Sequence, residues 1–159
     1  MTTVFLTNEE DVLLLQRSNK KLLAPGMWSG VGGHVESYEH DDIHSSGLRE
    51  IYEETGLTES EIDDLKLRYI VLRQKESELR QQFVYFGTVT TRALGNTDEG
   101  TLHWIHWNDA LNREMTETTR YILKHYIEHH TPNGVWVGTM GANDGHTASI
   151  SWSPLSDWA

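Results

Sequence analysis

Apolar and polar positions sort first into two short β-prone runs, Thr2 to Thr7 and Val12 to Arg17, parted by the polar turn Asn8-Glu9-Glu10-Asp11. Two such runs around a brief polar link predict a hairpin. Lys20 to Gly33 breaks the pattern: Pro25, Gly26, Gly30, Gly32 and Gly33 make it a loop, with a short strand around Trp28 to Val31. The period then changes. Ile43 to Thr55 reads as a helix closed by Gly56, with Leu48, Ile51, Tyr52 and Thr55 on one arc and Glu50, Glu53 and Glu54 on the opposite one.

Strand-like runs follow at Leu67 to Leu72, Gln82 to Thr90 and Leu102 to Trp107, with a turn of helix at Asp109 to Leu111. Thr116 can cap a second helix that runs to about His129 with Ile122, Leu123 and Tyr126 facing the core, and Pro132-Asn133-Gly134 ends it. Val135 to Met140 and Ala148 to Trp152, joined through Gly141-Ala142-Asn143-Asp144-Gly145, predict a terminal hairpin. It is expected to pack on the sheet, cover a pocket or pair subunits. The order of elements predicts one α+β domain over 1–159, with sheet between helices.

Composition changes the picture in three respects. Thirteen Lys and Arg against 24 Asp and Glu leave a formal charge of −11, which repels nucleic acid and anionic membranes, so neither is an expected partner. An anionic small molecule would need local basic groups or bound cations to offset that field. There is no cysteine, which removes disulfides, thiolate metal sites and thiol nucleophiles. No basic leader or long apolar run is present, so a cytoplasmic protein is expected, a monomer or homodimer.

Candidate chemistry centres on the first helix. Positions 50, 53 and 54 are i, i+3 and i+4, which brings three carboxylates to one patch within about 6 Å. Like charges so close are destabilising without a cation among them, and hard oxygen donors suit Mg²⁺ or Mn²⁺. Arg49 can neutralise only part of the cluster. A solvated acidic face is the other reading of these residues taken alone.

The flanking pattern decides between them. The segment 33–57 resembles the Nudix box, Gly-x5-Glu-x7-Arg-Glu-U-x-Glu-Glu-x-Gly-U with U aliphatic: Gly33, Glu39, Arg49, Glu50, Ile51, Glu53, Glu54, Gly56 and Leu57 stand at its fixed positions in order. Nine residues separate Glu39 from Arg49 where the family pattern has seven. Counted back from Arg49, Asp41 takes the acidic slot instead, so the spacing leaves Glu39 and Asp41 as alternatives.

The resemblance implies an α/β/α sandwich with a mixed sheet, in which Glu50, Glu53, Glu54 and the carbonyl of Gly32 hold metal and Arg49 orients Glu50. It also implies attack by water on a diphosphate bridge. In the MutT-like branch a glutamate outside the box approaches the metals, and Glu99 in Asp98-Glu99-Gly100-Thr101-Leu102 is similar to it; an exposed turn residue is the other reading. Leu22 to Gly33 is similar to the segment preceding the box in triphosphate-cleaving members, including those acting on oxidised purine nucleotides such as 8-oxo-dGTP. On that likeness Trp28 lines a base pocket or packs beneath the sheet, and Ser29 contacts the base. Gly33 and His34 are expected against the substrate phosphates, a loop histidine satisfied by backbone groups being the other reading of His34. Arg17, Lys20 and Lys21 either steer phosphates or are solvated loop charges.

The expected activity is Mg²⁺-dependent hydrolysis of a nucleoside triphosphate to monophosphate and pyrophosphate, with Glu99 or a helix glutamate as base. A nucleotide sugar or dinucleotide is the alternative substrate, and a ligand-sensing module without catalysis is the alternative of another class. His125-Tyr126-Ile127-Glu128-His129 formally matches an H-x-x-E-H zinc pattern, but an amphipathic helix with His and Glu on its wet side accounts for it equally simply.

Overall fold

Alternation along the strands assigns each side chain to one of two faces, and both faces are covered. The computed structural model describes residues 1–129 and 133–157. In chain order the elements are β1 (Thr2–Asn8), β2 (Asp11–Arg17), β3 (Trp28–Ser29), α1 (Ile43–Thr55), β4 (Ile62–Lys75), β5 (Glu78–Val89), β6 (Gly100–His106), α2 (Trp107–Ala110), α3 (Glu117–His129), β7 (Val135–Ala142) and β8 (Ala148–Leu155). One mixed sheet runs β3-β2-β1-β5-β4-β7-β8, with β6 paired to β2; β1–β5 and β4–β7 are parallel and the other pairs antiparallel.

Val4 and Leu6 of β1, Leu13 of β2 and Tyr85 and Val89 of β5 point to one face and pack with Ile51 of α1. Phe5, Val12, Leu14, Val84 and Phe86, the alternate residues, point to the other and pack with Ile122 and Leu123 of α3. This is an α/β/α sandwich, as expected. Gly47 faces Val4 and Tyr85 of the sheet, where a Cβ would make only ordinary contacts. Burying Ile51 completely contributes roughly 1.5–3 kcal/mol to holding the helix there.

Three expectations need correction. The β1–β2 hairpin is short, with Thr7 opposite Val12 and Asn8 opposite Asp11. Beyond that the strands part and the Trp28–Gly33 segment wedges between them, Ser29 opposite Leu15 and Val31 bridged to Val4. The inward arc of α1 is also different: Gly47, Glu50, Ile51, Glu54 and Thr55 are buried while Tyr52 is exposed. Hydrophobicity alone favoured Tyr52, but the helix is turned so that two carboxylates lie under the wedge. Finally, β4 and β5 extend well past their apolar cores to a turn at Glu76-Ser77.

Thr116 does cap α3, its hydroxyl accepting from the Thr119 N–H at 3.3 Å. Of the stop signal after α3, Pro132 lies outside the described residues. The terminal hairpin extends the sheet through β7 beside β4, and Trp136 and Trp152 pack against the α3-side core. No helix among the described residues is long and apolar enough to cross a membrane.

His125 is buried at this junction, not free for a metal. Its Nδ1 lies 3.1 Å from the Tyr69 hydroxyl, and His129, Trp136 and Trp152 surround the ring, while Glu128 lies 3.9 Å from Lys124. Burial, then repulsion from His129, push the His125 pKa down, against a weaker pull from Glu128. The unfolded chain therefore binds this proton first. The stability contributed is complete above the ordinary value of about 6.5 and is lost as pH falls through it toward the folded-state value. Melting curves from pH 8 to 5 should show a drop that His125→Gln flattens; identical slopes in the two proteins would refute the assignment.

Candidate active site

Asp42 starts α1 by accepting from the Ser45 N–H at 3.2 Å, and Gly56, at φ 77°, closes it with its N–H on the Tyr52 carbonyl. Thirteen residues of rigid helix thus carry Arg49, Glu50, Glu53 and Glu54 beneath the wedge. Arg49 organises them. Its Nε donates to Glu39 Oε1 at 2.7 Å and its Nη2 to Glu39 Oε2 and the His34 carbonyl, both at 3.0 Å. Its Nη1 donates to Glu50 at 2.8 Å and Glu53 at 3.0 Å.

The Glu39–Asp41 ambiguity is thereby resolved in favour of Glu39. A 3-10 turn at Ser37–Glu39 presents that carboxylate to Arg49, and Asp41 is exposed. The two-pronged hydrogen bond from Arg49 holds the Glu39 pKa down at about 2. A depressed carboxyl contributes stability above its ordinary 4.5 that is lost as pH falls toward about 2. Glu39→Gln should lower the melting temperature at neutral pH by several degrees and narrow that acid dependence, with Asp41→Asn doing neither. Equal effects of the two substitutions would overturn the pairing.

Glu54 turns away from Arg49, and its Oε2 accepts from the Gly32 N–H at 3.1 Å. Among the described residues no three acidic or histidine side chains are gathered closely enough to hold an ion as they stand. The full convergence expected from helical spacing is therefore not present: Arg49 draws Glu50 and Glu53 to itself, while Gly32 draws Glu54. Gly33 makes room for this, since a Cβ there would lie 2.5 Å from Glu50 Oε1.

The electrostatics nonetheless fit a cation. Burial pushes Glu54 up to about 7; the Gly32 N–H and Arg17 pull it back, and Glu50 and Glu99 repel it further upward. Burial also raises Glu50, against the pull of Arg49. Glu54 is thus held close to protonation for want of sufficient positive charge, and the donors are the hard oxygens that divalent ions prefer.

These groups line a cavity of about 720 Å³ together with Ser29, Thr3, Gln82, Thr118 and Thr119. Ser29, Gly33 and His34 all line this cavity. Glu99 is within reach of the site but is paired to Lys21 at 2.6 Å, so Lys21 has a partner beyond solvent. Trp28 is not among the lining residues. Strand alternation turns it to the opposite side from Ser29, where its ring lies 5.0 Å from His103 and 5.0 Å from the Arg113 guanidinium. The Trp28 ring therefore packs beside α3, on the face that Phe5 and Val84 share with Thr3 and Gln82.

Arg73 and Arg80 line the same cavity, and neither stood out in the sequence. Both lie on strand ends that extend past the apolar runs, so the only available signal was an alternation of Arg80, Gln82 and Val84 that does not say which face a ligand uses.

Comparison with known proteins agrees with this geometry. The model of the NUDIX domain matches residues 2–126. The m7GpppN-mRNA hydrolase of Bos taurus is 35% identical over 57 residues, 36% of this chain and only 18% of that protein. An uncharacterized Nudix hydrolase of Bacillus subtilis is 28% identical over 127 residues, 77% of this chain and 75% of the relative. Among solved structures, the mutator MutT protein of Bacillus halodurans superposes with a TM-score of 0.70 at 23% identity, covering 95% of both chains. The NUDIX domain of Shewanella oneidensis NrtR, complexed with ADP ribose, gives 0.65 at 18% identity, covering 82% of this chain and 86% of that one.

Proposed function

The chain belongs to the Nudix family, hydrolases of phosphorus-containing anhydrides, and from that premise we propose that it cleaves a nucleoside triphosphate, such as an oxidised purine nucleotide, to the monophosphate and pyrophosphate. The observation that carries this reading is the single cavity in which the box carboxylates meet a polar sheet face. Its volume suits a nucleotide, and its lining of charged and neutral polar groups suits different parts of one. The likeness to a MutT protein supports a triphosphate, while the ADP ribose held by another neighbour keeps nucleotide sugars and dinucleotides as the second reading.

Members of the family use divalent metal ions. Here Glu50, Glu53 and Glu54, joined by the Gly32 carbonyl and Glu99, would hold Mg²⁺ or Mn²⁺, which offsets phosphate charge and makes water acidic. The chain itself supplies position and proton acceptance. Arg49 fixes Glu50 and Glu53 from one side, and Gly32 N–H fixes Glu54 from the other. Glu53, the most open of the three, or Glu99, once Lys21 releases it to a phosphate oxygen, accepts the proton of the attacking water. His34 and Ser29 lie where phosphate and nucleoside would contact the cavity wall.

The test is a panel of nucleoside triphosphates, nucleotide sugars and dinucleotides with Mg²⁺, following pyrophosphate and orthophosphate release. Pyrophosphate from a triphosphate is the expected result. Faster cleavage of a nucleotide sugar than of every triphosphate would replace the substrate, and tight binding without turnover of any would favour a sensing module.

A further inference from the structure

Arg73 on β4 and Arg80 on β5 stand directly opposite each other in the antiparallel register, so both side chains project to the same face, and both line the active-site cavity. Two like charges in that relation are unfavourable unless an anion lies between or beside them. Arg73 is half-buried, and among the described residues it has no carboxylate within ion-pair distance. Arg80 holds Glu78 at 2.8 Å, but both members of that pair are largely exposed, so it is weak and readily exchanged.

The surroundings are polar, and the N-terminal ammonium of Met1, which also lines the cavity, feels the Arg73 charge. Gln82, next inward from Arg80 on the same face, donates to Thr3 Oγ1 at 2.8 Å, and Thr118 and Thr119 of α3 line the same space. The cavity is therefore lined by carboxylates suited to cations, by neutral polar groups, and by the Arg73 and Arg80 guanidiniums suited to an anion. Arginine forks match phosphate oxygens in pairs, which a solvated charge would not require.

We propose that Arg73 and Arg80 form a second anion subsite that binds a phosphoryl group of the substrate outside the scissile diphosphate. This rests on reading the cavity as the substrate site. It makes the preferred substrate a nucleotide with at least one phosphoryl group beyond the bridge that is cut, attached either in line along the phosphate chain or on the nucleoside. The two sources share one chemistry, and different ligands separate them.

The experiment is calorimetric binding in EDTA, which stops metal-dependent turnover, with three ligands: ADP ribose, which has only the diphosphate; ATP, with a third phosphate in line; and ADP carrying a 3′-phosphate. The native protein should bind one of the latter two at least about tenfold more tightly than ADP ribose, in line with the gain from a paired charged contact. Arg73→Gln and Arg80→Gln should each remove most of that margin while leaving ADP ribose within about twofold, and which ligand loses identifies the source. Arg68→Gln, a strand arginine that does not line the cavity, controls for net charge, and thermal melting confirms that each variant folds.

Equal weakening of all three ligands, no weakening of any, or no native preference for a phosphorylated ligand would overturn the subsite. Absence of turnover with Mg²⁺ in the native protein, alongside the expected binding contrast, would instead remove the hydrolase reading and leave the subsite standing.

Discussion

Glu53→Gln is expected to lower kcat by roughly 10²–10⁴ while leaving the fold intact, the range associated with losing a carboxylate that handles a proton or its ion. The side chain is more than half exposed and makes one hydrogen bond, to Arg49 at 3.0 Å, so an isosteric amide removes charge with little packing cost. Circular dichroism and melting temperature should match the native protein in EDTA. In Mg²⁺ the two should diverge, because a ligand that binds only the folded state raises its stability and the amide weakens that binding. Glu54→Gln sharpens the contrast: its buried carboxyl is already near protonation without a cation, so the amide should be tolerated in EDTA and should abolish stabilisation by Mg²⁺. A Glu53→Gln enzyme within about twofold of native turnover would remove this carboxylate from the mechanism.

Gly32→Ala should have the largest effect on stability. At φ 149° the residue occupies backbone space that side chains rarely tolerate, and a Cβ would overlap the Thr2 carbonyl and press on Thr3 Cα at 2.9 Å. Both obstacles are backbone, locked by hydrogen bonds from Thr2 N–H to the Gly33 carbonyl and between Val4 and Val31. The wedge and β1 must separate. Overpacking and backbone strain together cost on the order of 2–6 kcal/mol, which for a domain of this size lowers the melting temperature by roughly 5–20 °C. Turnover should fall as well, since the Gly32 N–H that holds Glu54 moves with the backbone. Gly145→Ala, where a Cβ would meet only ordinary contacts, is the control. A Gly32→Ala shift no greater than that of Gly145→Ala would mean that the wedge is not held as tightly as its hydrogen bonds indicate.

The parts of the site that were legible in the sequence are those in which neighbours along the chain are also neighbours in space. Helical spacing put Arg49, Glu50, Glu53 and Glu54 on one element, and the glycines before them marked a loop. Where roles depended on rotation of that element, spacing was not enough. Tyr52 is a larger apolar group than Gly47, yet Gly47 faces Val4 and Tyr85 of the sheet while Tyr52 is exposed, a rotation that spacing does not fix. Trp28 and Ser29 illustrate the same limit in a strand: alternation says that they face opposite ways and does not say which way the ligand lies.

By itself the sequence determined the family pattern, the helix that carries the acids, the sandwich with its two apolar faces, and a demand for positive charge near those acids. The helix and the demand for charge follow from local periodicity and from composition, which do not depend on distant contacts, and the sandwich follows from the family resemblance. Only the tertiary structure decided that Glu39 and not Asp41 meets Arg49, that the Gly-rich segment splits the first hairpin, and that Arg73 and Arg80 join the cavity across the sheet. Each of these brings together residues far apart in the chain, where the outcome depends on which backbones can approach and which buried charges find partners.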